Sequence, residues 1–283
     1  MEGSWKMHAS DDLISICIPH WQVRPYISVC LRSIRKHSGP YPVEVIVVDN
    51  GSKDDSLDYL RSLRWIRLLE RPEESHRNWP ENVFTAWDLG IREAKGRFFM
   101  TMHSDVFVRS DNWLRPFLRE IATGNRVGGV GAWKLELENP LYSLQKRIIG
   151  STTDFLKRAF GVSKGVRHNK RNYPRDYCAL YRREAIIQHG LTFRPGALGG
   201  GGYSIARQLW DHGYTTRMIK VAELYPMVVH VAHGTAALVK EKPLQHKRAQ
   251  RKVERKHQNI SNAEWFQELL DAESWDHNER QRG

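Results

Sequence analysis

The 283-residue chain has few cysteines, no long apolar runs and a deficit of acid. Its three cysteines, Cys17, Cys30 and Cys178, are scattered and form no CxxC pair. An odd, dispersed set argues against a disulfide framework or a cysteine-ligated zinc site, and reduced intracellular thiols are the expectation. No segment reaches the roughly 18 consecutive apolar residues that span a bilayer, so no transmembrane segment is expected. The opening MEGSWKMHASDD has no basic stretch leading into an apolar core, which argues against a secretory signal. Asp and Glu total 32 against 44 Lys and Arg, leaving a net charge of +12. Such a surplus favours anionic partners, whether nucleotide phosphates, nucleic acid or acidic lipid headgroups, and does not choose among them.

What is present is an ordinary globular composition, 40% hydrophobic and 27% charged, with length for one large α/β domain or two small ones. The basic surplus is concentrated in two places, Lys146 to Arg175 and Lys240 to His257. The first has mixed character and reads as a loop-rich insertion with a helix. The second reads as a basic C-terminal helix with a solvated face.

Strands and helices alternate through the first half. LISICIP, Leu13 to Pro19, is a short branched strand closed by proline. YISVCLRSIRKH then repeats apolar residues at helical spacing: Ile27, Cys30, Leu31 and Ile34. VEVIVV, Val43 to Val48, is the near-continuous β-branched run of a parallel strand buried on both faces. It runs into Asp49, Asn50, Gly51 and Ser52, a turn cluster. A helix near Ser56 to Leu63, a strand IRLLE and a helix through Val83, Phe84, Trp87 and Ile91 follow. The alternation predicts a doubly wound, mainly parallel sheet.

The strand in GRFFMTMHSDVF, Phe98 to Met102, ends in a histidine and a carboxylate. Ligands of open α/β sheets bind at the carboxyl ends of strands, so Asp105 lies where chemistry belongs. Capping of the next turn, with Ser104 helping, is the alternative role. Beyond it NWLRPFLREIA is a predicted helix, VGGVGAW a strand, YCALYRREAIIQHG a strand and helix, GALGGGGYS a mobile glycine-rich loop and SIARQLWDHGY a helix. MVVHVAHG is a late strand carrying His230 and His233.

Together these segments resemble the family 2 glycosyltransferases of the GT-A fold, from about Leu13 to about Thr235. ISICIPHWQVRPYISVCLRSI is similar to that family's opening strand, turn and first helix, with Trp21 for the usual aromatic and Gln22 for the usual Asn. VEVIVVDNGSKDDS is similar to its nucleotide-binding strand and turn. AWDLGIREAKGRFFMTMHSDV resembles the helix and strand that lead to the metal motif. The resemblance implies an α/β GT-A domain over 1–235, with a nucleotide-binding half at about 11–110 and an acceptor-side half at about 111–235. A basic helical extension over 236–283 completes the chain.

It also implies a site. His103, Ser104 and Asp105 occupy the place of an Asp-x-Asp motif that holds Mn2+ or Mg2+ against a donor diphosphate. Asp105 is then a metal ligand, and His103 and Ser104 are donor contacts. Asp49 would contact the nucleotide base or ribose, with Ser52 and Asp54 shaping the turn or capping the next helix. Pro19 and Trp21 would frame the base. The family often takes a third metal ligand from a late histidine, here His230 or His233. An i, i+3 pair on an extended strand faces opposite ways, so one of the two is expected at the site.

One departure stands out. Inverting members carry a Glu-Asp pair just before the acceptor helix, and its acid deprotonates the acceptor. Here that position falls at about Gly201 and Gly202. Three readings stay open: another acid serves (Asp176, Glu136 or Glu138), the alignment slips along the glycines, or the enzyme is not an ordinary inverting transferase. The expected function is metal-assisted transfer of a sugar from a nucleoside-diphosphate sugar, a UDP-sugar first, to an acceptor hydroxyl. The acceptor is a glycan, a lipid-linked phosphate, a protein or modified DNA, with an anionic one suiting the basic segments. The alternative is a non-catalytic nucleotide-sugar or nucleic-acid binding protein on the same scaffold. Nucleotidyl transfer on a related fold is weakened by the lack of a Lys- and Gly-rich phosphate loop after the first strand. The expected location is cytoplasmic, with peripheral association to a membrane or nucleic acid.

Overall fold

The computed structural model describes residues 12–73, 80–133, 135, 173–194, 199–232, 234–239 and 247–277. Its first part alternates β1 (Ile14–His20), α1 (Arg24–His37), β2 (Val43–Asp49), α2 (Ser56–Ser62), β3 (Ile66–Glu70), α3 (Glu81–Glu93) and β4 (Phe98–Met102). There follow β5 (Val106–Val108), α4 (Arg115–Ile121), β6 (Val127–Ala132), β7 (Cys178–Arg182), α5 (Arg183–Gln188), α6 (Gly202–Asp211) and β8 (Thr215–Ile219). The last part comprises α7 (Val221–Leu224), β9 (Val228–His230), α8 (Gly234–Leu238), α9 (Lys247–Ser261), α10 (Glu264–Asp271) and α11 (Ser274–His277).

Seven strands form one sheet in the order β3-β2-β1-β4-β7-β6-β8. Pairing is parallel from β3 through β4, antiparallel on both sides of β7, and parallel again between β6 and β8. The sheet is therefore mostly parallel, as the alternation predicted. Period-two alternation divides each central strand between two cores. Ile14, Ile16, Ile18, Val45 and Val47 gather with Ile27, Leu31 and Ile34 of α1. Cys17, Ile46, Val48 and Phe99 gather with Val83, Ala86, Trp87 and Ile91 of α3. Being sandwiched between helices on both faces is what makes these strands read as unbroken apolar runs.

A second, two-stranded sheet pairs β5 with β9 antiparallel, in the register Val106 to His230 and Val108 to Val228. The late strand expected around MVVHVAHG is thus three residues long and lies outside the main sheet. The ladder sets His230 beside the end of β4 despite the long sequence separation.

α10 and α11 fold back onto α1, adding Phe266 and Leu269 to its core. A buried ion pair fixes them there. Arg32, 2% exposed, donates from Nε to Asp276 Oδ1 at 3.0 Å and from Nη2 to Oδ2 at 2.5 Å. Its Nη1 reaches the carbonyls of Leu269, at 3.1 Å, and Leu270. Tyr59 of α2 donates to Asp276 Oδ1 at 2.8 Å. No helix among the described residues is long and apolar enough to cross a membrane. The basic stretch from Lys146 to Arg171 lies outside the described residues.

Removing one member of a buried, hydrogen-bonded pair leaves the other charge uncompensated. Asp276→Ala is expected to lower unfolding stability by about 3–5 kcal/mol, read from denaturant curves. A change of a few tenths would mean that Arg32 finds water or another acceptor instead.

Candidate metal and donor site

β4 stops at Met102, and the chain turns through His103, Ser104 and Asp105 into β5, closed by the Val106 N–H to the His103 carbonyl at 3.2 Å. The N–H of His103 is tied to the carbonyl of Tyr177 at 2.9 Å. Asp105 is 7% exposed and its Oδ2 accepts the backbone N–H of Gly234 at 3.0 Å. Only glycine fits there, because a Cβ would sit 2.3 Å from the ring of Tyr26. The other oxygen, Oδ1, lies 3.5 Å from His230 Nε2 and 3.9 Å from His103 Nδ1. Neither approach makes a hydrogen bond: Asp105 Oδ1 and His230 Nε2 are both buried and lack a bonding partner.

Two facing, unsatisfied ligand atoms in a protein interior are costly unless something lies between them. The ligand atoms of His103, Asp105 and His230 all fall within 4.8 Å of one another. A divalent cation fits this donor set of two imidazoles and one carboxylate. Burial works against the charge on Asp105, but His230, then His103, and the Gly234 N–H outweigh it and hold the carboxyl well below the usual range. The carboxylate is thus ready as a ligand without first losing a proton.

Both imidazoles are held by flat aromatic neighbours. His103 stacks on Trp87 at 5.6 Å and 14°, and His230 stacks on Tyr177 at 4.5 Å and 11°. From behind, Lys256 of α9 donates to the His230 carbonyl at 2.5 Å, and His257 hydrogen-bonds the Tyr26 hydroxyl.

Beside this cluster the turns after β1 and β2 are stitched together. Asp49, 1% exposed, accepts from the N–H groups of Gly51 and Ser52 at 3.1 and 3.0 Å and from Ser52 Oγ at 2.5 Å. Ser52 Oγ in turn accepts the N–H of Gln22 at 2.8 Å, and Asp54 accepts that of Arg24 at 3.3 Å. Gln22 and Val23 lie in the left-handed region at φ 56 and 68. That conformation is strained for a β-branched residue and persists because the neighbouring bonds over-determine it.

A family profile described as glycosyl transferase family 2 matches residues 15–190, more than half the chain. The chain belongs to this family. A mannosyltransferase from Pyrobaculum calidifontis, solved in complex with GDP-Man and Mn2+, superposes with a TM-score of 0.55 at 18% identity. That match covers 93% of this chain and 69% of the other. Glucosyl-3-phosphoglycerate synthase from Mycobacterium tuberculosis, in complex with phosphoglyceric acid, is similar at TM-score 0.48 and 16% identity, over 77% of this chain and 72% of that one. At 18% identity, what this chain shares with the mannosyltransferase is the GT-A fold.

This family 2 glycosyltransferase brings most of the sequence-predicted residues to one edge. β2, β1 and β4 are neighbours in the sheet, so Asp49 and Pro19, in the last residues of their strands, and Ser52, Trp21, His103, Ser104 and Asp105, just beyond theirs, share the carboxyl edge. Of the two late histidines, His230 joins the cluster, while His233 lies outside the described residues, as do Glu136 and Glu138. Ser52 and Asp54 serve as braces of the double turn. The Asp49 carboxylate is likewise spent on its own turn. Gly202 belongs to the first turn of α6, and Gly199 to Gly201 lead into it, so this part of the predicted mobile loop is packed structure.

Sequence reasoning passed over Trp87 and Tyr177, because a tryptophan at a helix's apolar position carries no sign of stacking on an imidazole. It also passed over His20, the register partner of Asp49. His20 is 1% exposed and both its ring nitrogens lack partners. Burial lowers its pKa to about 4 from the usual 6.5, against the opposing pull of Asp49 and Asp54.

Two outcomes follow from this geometry. Mn2+ is expected to raise the melting temperature of the wild type, and Asp105→Asn to abolish that rise; an equal rise in the variant would remove Asp105 from the ligand set. For His20, the unfolded chain takes up a proton near pH 6.5 while the folded chain resists until about 4. Stability is present in full above 6.5 and drains as pH falls through that window, by on the order of 3 kcal/mol. Denaturation curves across this range should be flatter for His20→Asn, and parallel curves would show that His20 is not the group responsible.

Proposed function

We propose that this glycosyltransferase moves a sugar from a nucleoside-diphosphate sugar, a UDP-sugar first, to an acceptor hydroxyl. The buried, unpartnered pair Asp105 Oδ1 and His230 Nε2 carries the reading, because it lies at the strand ends beside the double turn and is completed by a cation. His103, Asp105 and His230 would hold the ion; Mn2+ suits two imidazoles better than Mg2+, which prefers oxygen. When bound, such a cation offsets the charge of the donor diphosphate and of the leaving nucleoside diphosphate.

The chain's own residues do the rest. The turn closed by Asp49 and Ser52 fixes the shape of the base and ribose pocket, and Trp21, at the end of β1, offers an aromatic face to the base. Trp87 and Tyr177 keep both imidazoles oriented, so little ordering remains for the moment of binding. α9, with Arg251 and Arg255 exposed and Lys256 reaching the rim of the cation site, supports an anionic acceptor such as a lipid-linked phosphate or nucleic acid. A non-catalytic donor-binding role is the second reading, favoured by His103 in place of an acid and by the glycines at the head of α6.

A thermal-shift screen against UDP- and GDP-sugars, with Mn2+, Mg2+ or neither, tests the proposal. A donor at 100 times its Kd stabilises the fold by about 2.7 kcal/mol, so no acceptor is required. One nucleoside diphosphate should give the largest shift, and more with Mn2+ than with Mg2+. Absence of any donor shift, metal present, would sink the reading. Binding without release of nucleoside diphosphate would favour the second.

A further inference from the structure

Transfer to a hydroxyl needs a group that takes its proton, and the glycine run at the head of α6 offers none. Another element supplies a carboxylate to the same place. Asp176, just ahead of β7, lays its side chain against that run, and its Oδ2 accepts the N–H of Gly202 at 3.1 Å. A Cβ on Gly201 would sit 2.1 Å from this oxygen, and one on Gly202 would sit 2.5 Å from the carbonyl of Pro174. Gly201 is also in the left-handed region, at φ 65. The glycines are the seat of this carboxylate, which no larger residue would leave room for.

Its second oxygen differs. Among the described residues no donor reaches Asp176 Oδ1, and the residue is half-buried. The next residue, Tyr177, stacks on His230 at 4.5 Å and accepts the N–H of His103 at 2.9 Å, so one peptide unit separates Asp176 from the wall of the cation cluster. Other carboxylates nearby are committed. Asp105 accepts from Gly234 and turns its other oxygen toward the imidazoles, Asp49 serves its own turn, and Asp88 the Thr192 hydroxyl and the Phe193 N–H.

We propose that Asp176 is the catalytic base, an inference that rests on the nucleotide-sugar reading above. The proton of the acceptor O–H passes to Asp176 Oδ1, and the acceptor oxygen forms a bond to the anomeric carbon. The bond from that carbon to the diphosphate oxygen breaks, and its electron pair leaves with the nucleoside diphosphate.

Asp176→Asn separates this role from mere capping of α6, because the amide oxygen still accepts from Gly202 but the side chain takes up no proton. The probe is a panel of UDP- and GDP-sugars with Mn2+ and water as acceptor, read as nucleoside diphosphate released. The variant should melt as the wild type does, keep the donor-induced thermal shift, and release product roughly 10²–10⁴-fold more slowly. Release within about threefold of wild type overturns the assignment, since loss of a base costs far more. Should Asn melt earlier, Asp176→Glu decides: recovery of rate without recovery of melting temperature supports the base, and a rate that simply follows melting overturns it. Wild type that binds a donor but releases nothing overturns the base and leaves donor binding intact. Wild type with no donor shift overturns the reading beneath it.

Discussion

The site depends on how one buried carboxylate is shared. Asp105 gives one oxygen to the backbone of Gly234 and leaves the other facing two imidazoles that it does not hydrogen-bond. The first contact fixes where the segment after β9 must run, and the second creates a demand for positive charge. Charge without a partner is tolerated inside a protein only where something is meant to supply it. The small β5–β9 sheet, the close approach of Tyr26 and the stacked pairs Trp87–His103 and Tyr177–His230 all serve this arrangement. They hold the ligands apart and oriented, whereas free side chains would collapse into a direct ion pair.

The double turn after β1 and β2 is built by a different means. There the polar groups satisfy each other: Asp49 closes its turn, Ser52 links that turn to Gln22, and the left-handed Gln22–Val23 pair is held by the link. A turn braced this way is rigid in itself, with little conformational entropy left to lose. The scaffold thus combines a satisfied double turn with an unsatisfied cluster on neighbouring strand ends.

Much of this was legible from sequence. The central strands β1, β2 and β4 were readable because burial on both faces leaves apolar runs bounded by glycine, proline and acid. β8, Thr215–Ile219, was not, since it is an edge strand whose exposed and half-buried positions alternate but whose TTRMI has apolar residues only at Met218 and Ile219. Asp105 and His230 could be named from motif position. Their mutual geometry could not, because it depends on an antiparallel ladder between segments more than a hundred residues apart. The seating of Asp176 against Gly202 is hidden for the same reason: a glycine run announces room but not what fills it.

The latch between Arg32 and Asp276 has a consequence for how the chain comes into being. The two residues are 244 positions apart. At ribosomal rates of about 5–20 residues per second, roughly 12 to 50 s pass between making the guanidinium and making its partner. For that interval α1 carries a cation destined for a dry interior, and the core against which Phe266 and Leu269 pack is open on one side. Strands β1 to β4 are synthesised first, yet α1, which covers them, is sealed last, by residues far beyond the sheet.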